Sequence, residues 1–413
     1  MLYEGFSQKL QVILASGMQI ADTAAVRKAL ARLPRYEDWI TDRQAEICAI
    51  PAPSFEEQPR AEHMRRLFGR LKLENARLDS EGNALAELPG TAPESERRVV
   101  AITAHVDTVF PRNTTVTIRR EKGRLYGPGV SDNGAGLAAL AALARVLGES
   151  RIATRDTLLF AANVGEEGRG DLRGMKYLLS DAALRPRLRA MLVIDGPGVE
   201  HIVTEGLGSR RFEIVFDGPG GHSWRDFGTV NPIQAMATAV SRIAALELAP
   251  LPRTTCSVTE CRAGTSVNSI PTGALMRVDI RSGSEPEMAR LVSEVARISR
   301  VATEEETLRA PKGQLVCGMK DIGHRPAASL PPDARILQVI RDVDRHLGIA
   351  SRLEQSSTDA NVPLSMGLEA VCIGGGGSGG GTHSMSEWYD PAGRVLGLKR
   401  VMLSALELAG VVE

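Results

Sequence analysis

Three short apolar runs, residues 99–104, 157–162 and 191–194, carry no helical spacing and are read as buried strands. Around them the pattern turns helical: the chain up to about residue 51, then 56–71, the Ala/Leu-rich stretch 134–147, and a helix beginning over 174–179. Strands alternating with helices predict an α/β fold, a mostly parallel sheet covered by helices on both faces. Near Gly208 the texture changes. Residues 211–216 alternate like a half-exposed strand, 231–246 and 285–302 read as helices, and 256–260 and 274–281 as further strands. That order describes a compact α+β unit inserted between two halves of the α/β domain. The chain then returns to a helix over 334–347 and a strand, Ala370–Ile373, followed by a glycine-rich loop over 374–381. The expected division is a first part over 1–207, an insert over 208–318 and a second part over 319–413.

A length of 413 residues supports more than one core. Lys plus Arg equals Asp plus Glu at 50 each, so the formal charge is zero and neither nucleic acid nor an anionic membrane is an expected partner. No signal-peptide core opens the sequence and no apolar stretch reaches membrane-spanning length, which predicts a cytoplasmic protein. Five scattered cysteines without a CxxC pair suit a reducing compartment and buried thiols, with a Cys256–Cys261 cross-link as the minor alternative.

The candidate chemistry lies where the apolar runs end. His105-x-Asp107, Asp132, Glu166-Glu167, Asp195 and His383 are all metal-ligand residue types, and in an α/β fold ligands bind at strand ends. Zinc takes imidazole and carboxylate donors at roughly 2 Å, and a bridging carboxylate can hold two ions about 3.5–4 Å apart. Asp132 would bridge, His105 and Asp195 would cap one ion, and Glu167 and His383 the other. Glu166 would remain to take a proton from water and return it to a leaving amine. Asp107, two residues past His105, would hydrogen-bond the second imidazole nitrogen and fix its tautomer. His63, His201, His324 and His346 are read as ordinary hydrogen-bonded histidines, although His201 follows Asp195 closely enough to join that outer layer.

The motifs that carry these residues resemble the dinuclear zinc exopeptidases and deacylases that include peptidase T, aminoacylase, acetylornithine deacetylase and succinyl-diaminopimelate desuccinylase. Ala104-His105-Val106-Asp107-Thr108-Val109 is similar to that family's first metal motif. Leu125-Tyr126-Gly127-Pro128-Gly129-Val130-Ser131-Asp132-Asn133 is similar to its bridging-aspartate motif, and Gly165-Glu166-Glu167-Gly168 to its motif of base plus ligand. The resemblance implies a zinc-exopeptidase-like catalytic domain and a lid and dimerisation role for the insert. It also implies a cis Asp132-Asn133 peptide and two Zn2+ per subunit, for which Co2+ or Mn2+ can substitute. Gly220-Gly221-His222-Ser223 resembles the motif whose histidine steadies the oxyanion, while Asn268 and Arg281 match substrate-contacting positions. Arg281, with the backbone of Gly380 and Gly381, would grip a substrate carboxylate. Pro128 and Asn133-Gly134-Ala135 depart from the family's usual residues, and Asp195, where many deacylases carry Glu, tilts the expectation to short peptides. The expected function is hydrolysis of small peptides, of amino-, di- or tripeptidase type, by a homodimer formed through the insert. N-acyl amino acid deacylation is the alternative, and a non-catalytic peptide- or amino-acid-binding protein the remote one. The alternating strand at Arg211 is expected to be a sheet edge serving dimerisation.

Overall fold

The computed structural model describes residues 19–412, so the helical reading of the first eighteen residues lies outside the described part. The chain divides into two compact units, one ending at Thr204 and resuming at Ser329, the other running from Glu205 to Ala328.

The first unit is built on a nine-stranded sheet. At its centre four parallel strands lie in the order Thr157–Asn163, Val99–His105, Leu188–Ile194, Ala370–Ile373. Every residue of the first two is buried, which explains why they read as unbroken apolar runs. Antiparallel strands extend both flanks: Ala84–Leu88 and Glu74–Leu78 on one, His201–Gly206 on the other. The helices Gly134–Ser150 and Arg394–Ala409 both pack on the central strands. The second of these leaves no helical period in the sequence because nearly all its faces are buried, including Arg394 and Arg400, so no polar stripe marks a period. Arg400 is neutralised by a two-pronged contact with Asp344, at 2.6 and 2.7 Å. A small four-stranded sheet, Ser378–Gly380, Trp388–Asp390, Arg124–Tyr126 and Arg119–Glu121 in that order, holds the glycine-rich loop.

The second unit is a four-stranded antiparallel sheet in the order Thr254–Ala263, Gly273–Ser282, Gly208–Asp217, Val316–Arg325, with helices Pro232–Ala244 and Glu285–Arg309. Strand Gly273–Ser282 alternates buried and half-buried residues along its length. Its buried face, with Phe212, Ile214 and Phe216 of the neighbouring strand, meets Leu291, Val295 and Ile298 of the long helix in one core. The expectation that the strand at Arg211 forms a sheet edge is corrected. Strand Val316–Arg325 pairs along it from Val316–Asp217 to Arg325–Ser209, so it lies inside the sheet. The alternation at Arg211 reflects one packed and one half-open face, a signal that edge and inner strands share. All five cysteines are free, but only Cys48 and Cys372 are buried as expected; Cys256 and Cys317 are half-buried and Cys261 is exposed, on strands with one open face. No helix among the described residues is long and apolar enough to cross a membrane.

Candidate metal centre

Strand ends bring the expected ligands of the first unit together. His105 closes the Val99–His105 strand, Asp195 follows Leu188–Ile194, and Glu166-Glu167 follow Thr157–Asn163 after the two residues Val164 and Gly165. Asp132 stands between two imidazoles: its Oδ1 is 3.1 Å from His105 Nε2 and its Oδ2 is 3.0 Å from His383 Nε2. Asp195 Oδ1 lies 3.6 Å from the same nitrogen of His105, and Glu167 Oε1 lies 3.2 Å from that of His383. Two donor triads therefore share Asp132: His105–Asp132–Asp195 and Asp132–Glu167–His383. A third, His105–Glu166–Glu167, places a Glu166 oxygen within reach of the same space.

These residues fit divalent cations. Donors at about 2.1 Å in tetrahedral array sit about 3.4 Å apart, and the separations across both triads bracket that value. Electrostatics agree. Burial works against charge on His105, yet contacts with Asp107, Asp132 and Asp195 raise its pKa well above the ordinary value. His383 is raised to about 9 by its hydrogen bond to Asp132, with the charge of Glu167 adding to it. Burial also pushes Asp132 upward, but the two histidines overrule it and hold its carboxyl well below the usual range. Glu167 moves the other way, to about 7, because burial and the nearby Asp132 charge both disfavour its carboxylate. A cluster that drives its imidazoles to the cationic form is one that calls for positive charge. Oxygen and nitrogen donors suit zinc and also manganese or cobalt.

The surrounding layer is more connected than the sequence suggested. Asp107 is fully buried, with Oδ1 3.5 Å from His105 Nδ1, while the carbonyl of Asp107 is nearer that nitrogen, at 3.2 Å. Its carboxylate also takes the backbone N–H groups of Glu166 and Glu167, both at 2.9 Å, and the Ser54 hydroxyl at 2.8 Å. Asp107 thus ties the end of the Val99–His105 strand to the Glu-Glu turn. Glu387, four residues past His383, accepts from the backbone N–H groups of Gly129, Ser131 and Asp132 at 2.7–2.9 Å and so fixes the loop that carries Asp132. Behind His105, Asn163 donates to Asp359 at 2.6 Å, and burial raises the Asp359 carboxyl to about 6. None of Ser54, Asn163, Asp359 and Glu387 was singled out from sequence. Glu387 and Asn163 carried a usable signal, as polar residues beside a ligand or at the end of an apolar strand.

The Asp132-Asn133 peptide is cis, as the resemblance implies. Asn133 caps helix Gly134–Ser150 through the N–H of Gly136, and its amide donates to the Ile194 carbonyl at 2.8 Å, next to Asp195. The departure at this position therefore links the loops that carry Asp132 and Asp195. In the glycine-rich loop, the N–H groups of Gly375 and Gly376 are committed to the carbonyls of Gly196 and Gly198. A side chain at Gly379 would overlap Ser131 beside the Asp132 loop. Gly380 pairs with Trp388, and Gly381 opens the turn that presents His383 at φ 65°. His201 begins its strand and gives its carbonyl to Arg400.

The remaining candidates belong to the second unit. His222 pairs with Ser269 in a two-stranded ribbon, and the Ser223 N–H donates to the carbonyl of Asn268, which lies in the turn just before the Ser269–Ile270 strand, so His222 and Asn268 sit at the same end of the ribbon. The His222 ring is exposed and its Nδ1 accepts the N–H of Trp224 at 3.2 Å. Arg281 stands on the inner strand Gly273–Ser282, its Nε donating to Asp279 at 2.7 Å.

Residues 101–407 match the profile of Peptidase family M20/M25/M40. The chain belongs to this family. A probable carboxypeptidase of Aspergillus niger is 29% identical over 240 residues, 52% of this chain and 55% of that protein, so the chain spans about half the length of that curated relative. Among solved structures, the aminopeptidase PepT of Bacillus cereus superposes with a TM-score of 0.71 at 21% identity, over 91% of this chain and 99% of that one. A tripeptidase of Staphylococcus aureus gives 0.71 at 20% identity, over 90% and 98%. These M20 likenesses agree with the α/β fold class, its central sheet mostly parallel and flanked by helices.

Proposed function

We propose that this M20 chain is a dinuclear metal-dependent hydrolase that cleaves the amide bond of small peptides. The observation that carries the reading is Asp132, with one carboxylate oxygen on each of two imidazoles and a second carboxylate beside each pair. Two divalent cations, zinc in our reading, would polarise the scissile carbonyl and acidify a water molecule there. His105, Asp132, Asp195, Glu167 and His383 would hold them. Glu166 would take the proton and pass it to the departing amine. Its backbone is pinned through Asp107, which supports that role, since a base must stay within hydrogen-bond reach. The sequence motifs support His222 as an oxyanion donor and Asn268 and Arg281 as substrate contacts. The Arg281 Nε already serves Asp279, so grip on a carboxylate would fall to its terminal nitrogens. Gly380 and Gly381, the glycines nearest His383, are the part of the loop we assign to substrate, although Gly380 also pairs with Trp388.

A panel of dipeptides, tripeptides and N-acetyl amino acids, assayed with added zinc, cobalt or manganese, tests the reading. Turnover of free-amine peptides above that of N-acetyl amino acids is the expected result. The reverse order would make the chain a deacylase, and no turnover with any metal would remove the hydrolase assignment.

A further inference from the structure

A cleft of about 360 Å3 opens beside Glu167 in the first unit, and apart from Glu167 none of the proposed metal ligands lines it. Its walls are the loops of Pro53 and Phe55 and of Val109, Phe110 and Pro111, with Arg169 at one side. The volume lies near the lower end for ligand sites and suits one side chain rather than a peptide.

The walls are fixed to the metal cluster. Pro53 and Thr108 form a bridge, with the N–H of Thr108 donated to Ala52 at 2.9 Å. Ser54, between Pro53 and Phe55, donates its hydroxyl to Asp107 and to the Glu167 carbonyl. An Arg112–Glu56 ion pair at 3.1 Å joins the two loops again at the surface. Phe55 is held in the left-handed region, at φ 76°, with its side chain largely in solvent. Arg173, anchored by Glu57 and Glu81, stands 5.3 Å from the ring. A large apolar residue in an unfavourable backbone conformation, displayed to water and braced by a charge network, has no part in the core. Such residues cluster where a ligand is held.

We propose that this cleft is a substrate subsite for an apolar side chain, aliphatic or aromatic, on the residue next to the scissile amide. Phe55 and Val109 form its contact surface. The proposal rests on the amide-hydrolase reading above. Glu167 belongs to both the cleft and the ligand cluster, and on this proposal the amide lies over the cluster with its neighbouring side chain in the cleft. Discrimination by an apolar pocket of this kind is about tenfold to 200-fold.

The test compares kcat/KM for otherwise identical dipeptides carrying Leu, Phe, Gly, Glu or Lys at each position. Calorimetric titration of the metal-loaded protein with the corresponding free amino acids runs alongside. Leu and Phe at one position should exceed Gly by about tenfold or more, and Leu and Phe should bind more tightly than Gly. Phe55→Gly and Val109→Asp should each reduce the Leu-to-Gly ratio about tenfold with metal content at the wild-type level. Phe55→Gly relieves the left-handed strain, so its Tm should hold or rise while the ratio falls. A flat preference with ordinary turnover overturns the subsite and leaves the hydrolase reading intact. A preference for Glu that Arg169→Ala abolishes overturns it in favour of an acidic side chain. If nothing is cleaved the hydrolase reading fails, and equal binding of Leu and Gly then overturns the subsite as well.

Discussion

Glu166 and Glu167 share one backbone anchor, Asp107, and part company beyond it. Glu167 turns to His383 and has its carboxyl pushed up to about 7, chiefly by burial. Two cations would remove that penalty, since a ligand carboxylate must be ionised. Glu166→Gln keeps the side-chain volume and removes the basic oxygen, so it should lower kcat by about 100-fold or more. Metal analysis of the purified variant should still find both ions, and normal turnover would end the assignment of Glu166 as the base. Asp107→Asn acts on the anchor. It replaces one acceptor of the two backbone N–H groups by a donor, and it weakens the hold on His105. We expect metal affinity to drop about 10–100-fold, measured by competition with a chromophoric chelator. Unaltered affinity would show that the anchor is dispensable.

Among elements, the helix Gly134–Ser150 starts where the Asp132 loop, the Glu37–Cys48 helix and the Asp195 loop converge. A methyl group at Gly134 would overlap Cys48 and come within 2.6 Å of the Gly129 carbonyl. Gly134→Ala should therefore cost about 1–3 kcal/mol in urea unfolding, and an unchanged midpoint would mean that the loop yields. The same elements show what the sequence discloses. Buried parallel strands leave an unmistakable apolar run, and four such runs mark His105, Glu166-Glu167, Asp195 and the loop of His383 in the sequence. Flanking strands such as Glu74–Leu78 and Val316–Arg325 are half-exposed and weakly patterned, so they passed unseen. The closing helix Arg394–Ala409 was hidden for the opposite reason, being buried almost all round. Side chains that act on backbone groups, Glu387 on three N–H groups and Asp107 on two, leave no periodic trace at all. Only folding brings Glu387 to a loop more than 250 positions away.

At the scale of the whole molecule, the cluster links stability to protons and to cations. His383, raised to about 9 by Asp132, holds its proton more tightly in the folded chain than in the unfolded one. The stability it brings is complete below its unfolded value of 6.5 and is lost as pH climbs through 9. Glu167, raised to about 7, also favours its protonated form in the fold, so ionising it costs stability as pH rises from 4.5 through 7. Asp132, held low, adds stability that disappears only in stronger acid. The Tm of the metal-stripped protein should thus fall between about pH 5 and pH 9. Saturating divalent cation should reverse that slope, because metal displaces the same protons. A Tm that rises over this range without metal would contradict the electrostatic account. Above these effects stands the claim that one carboxylate joins two metal positions. Equilibrium dialysis of the metal-stripped chain against zinc or manganese, beside Asp132→Ala, measures it directly. The account predicts two ions per wild-type chain and the loss of tight binding at both positions in the variant. A single ion in the wild type, or two retained by Asp132→Ala, would contradict it.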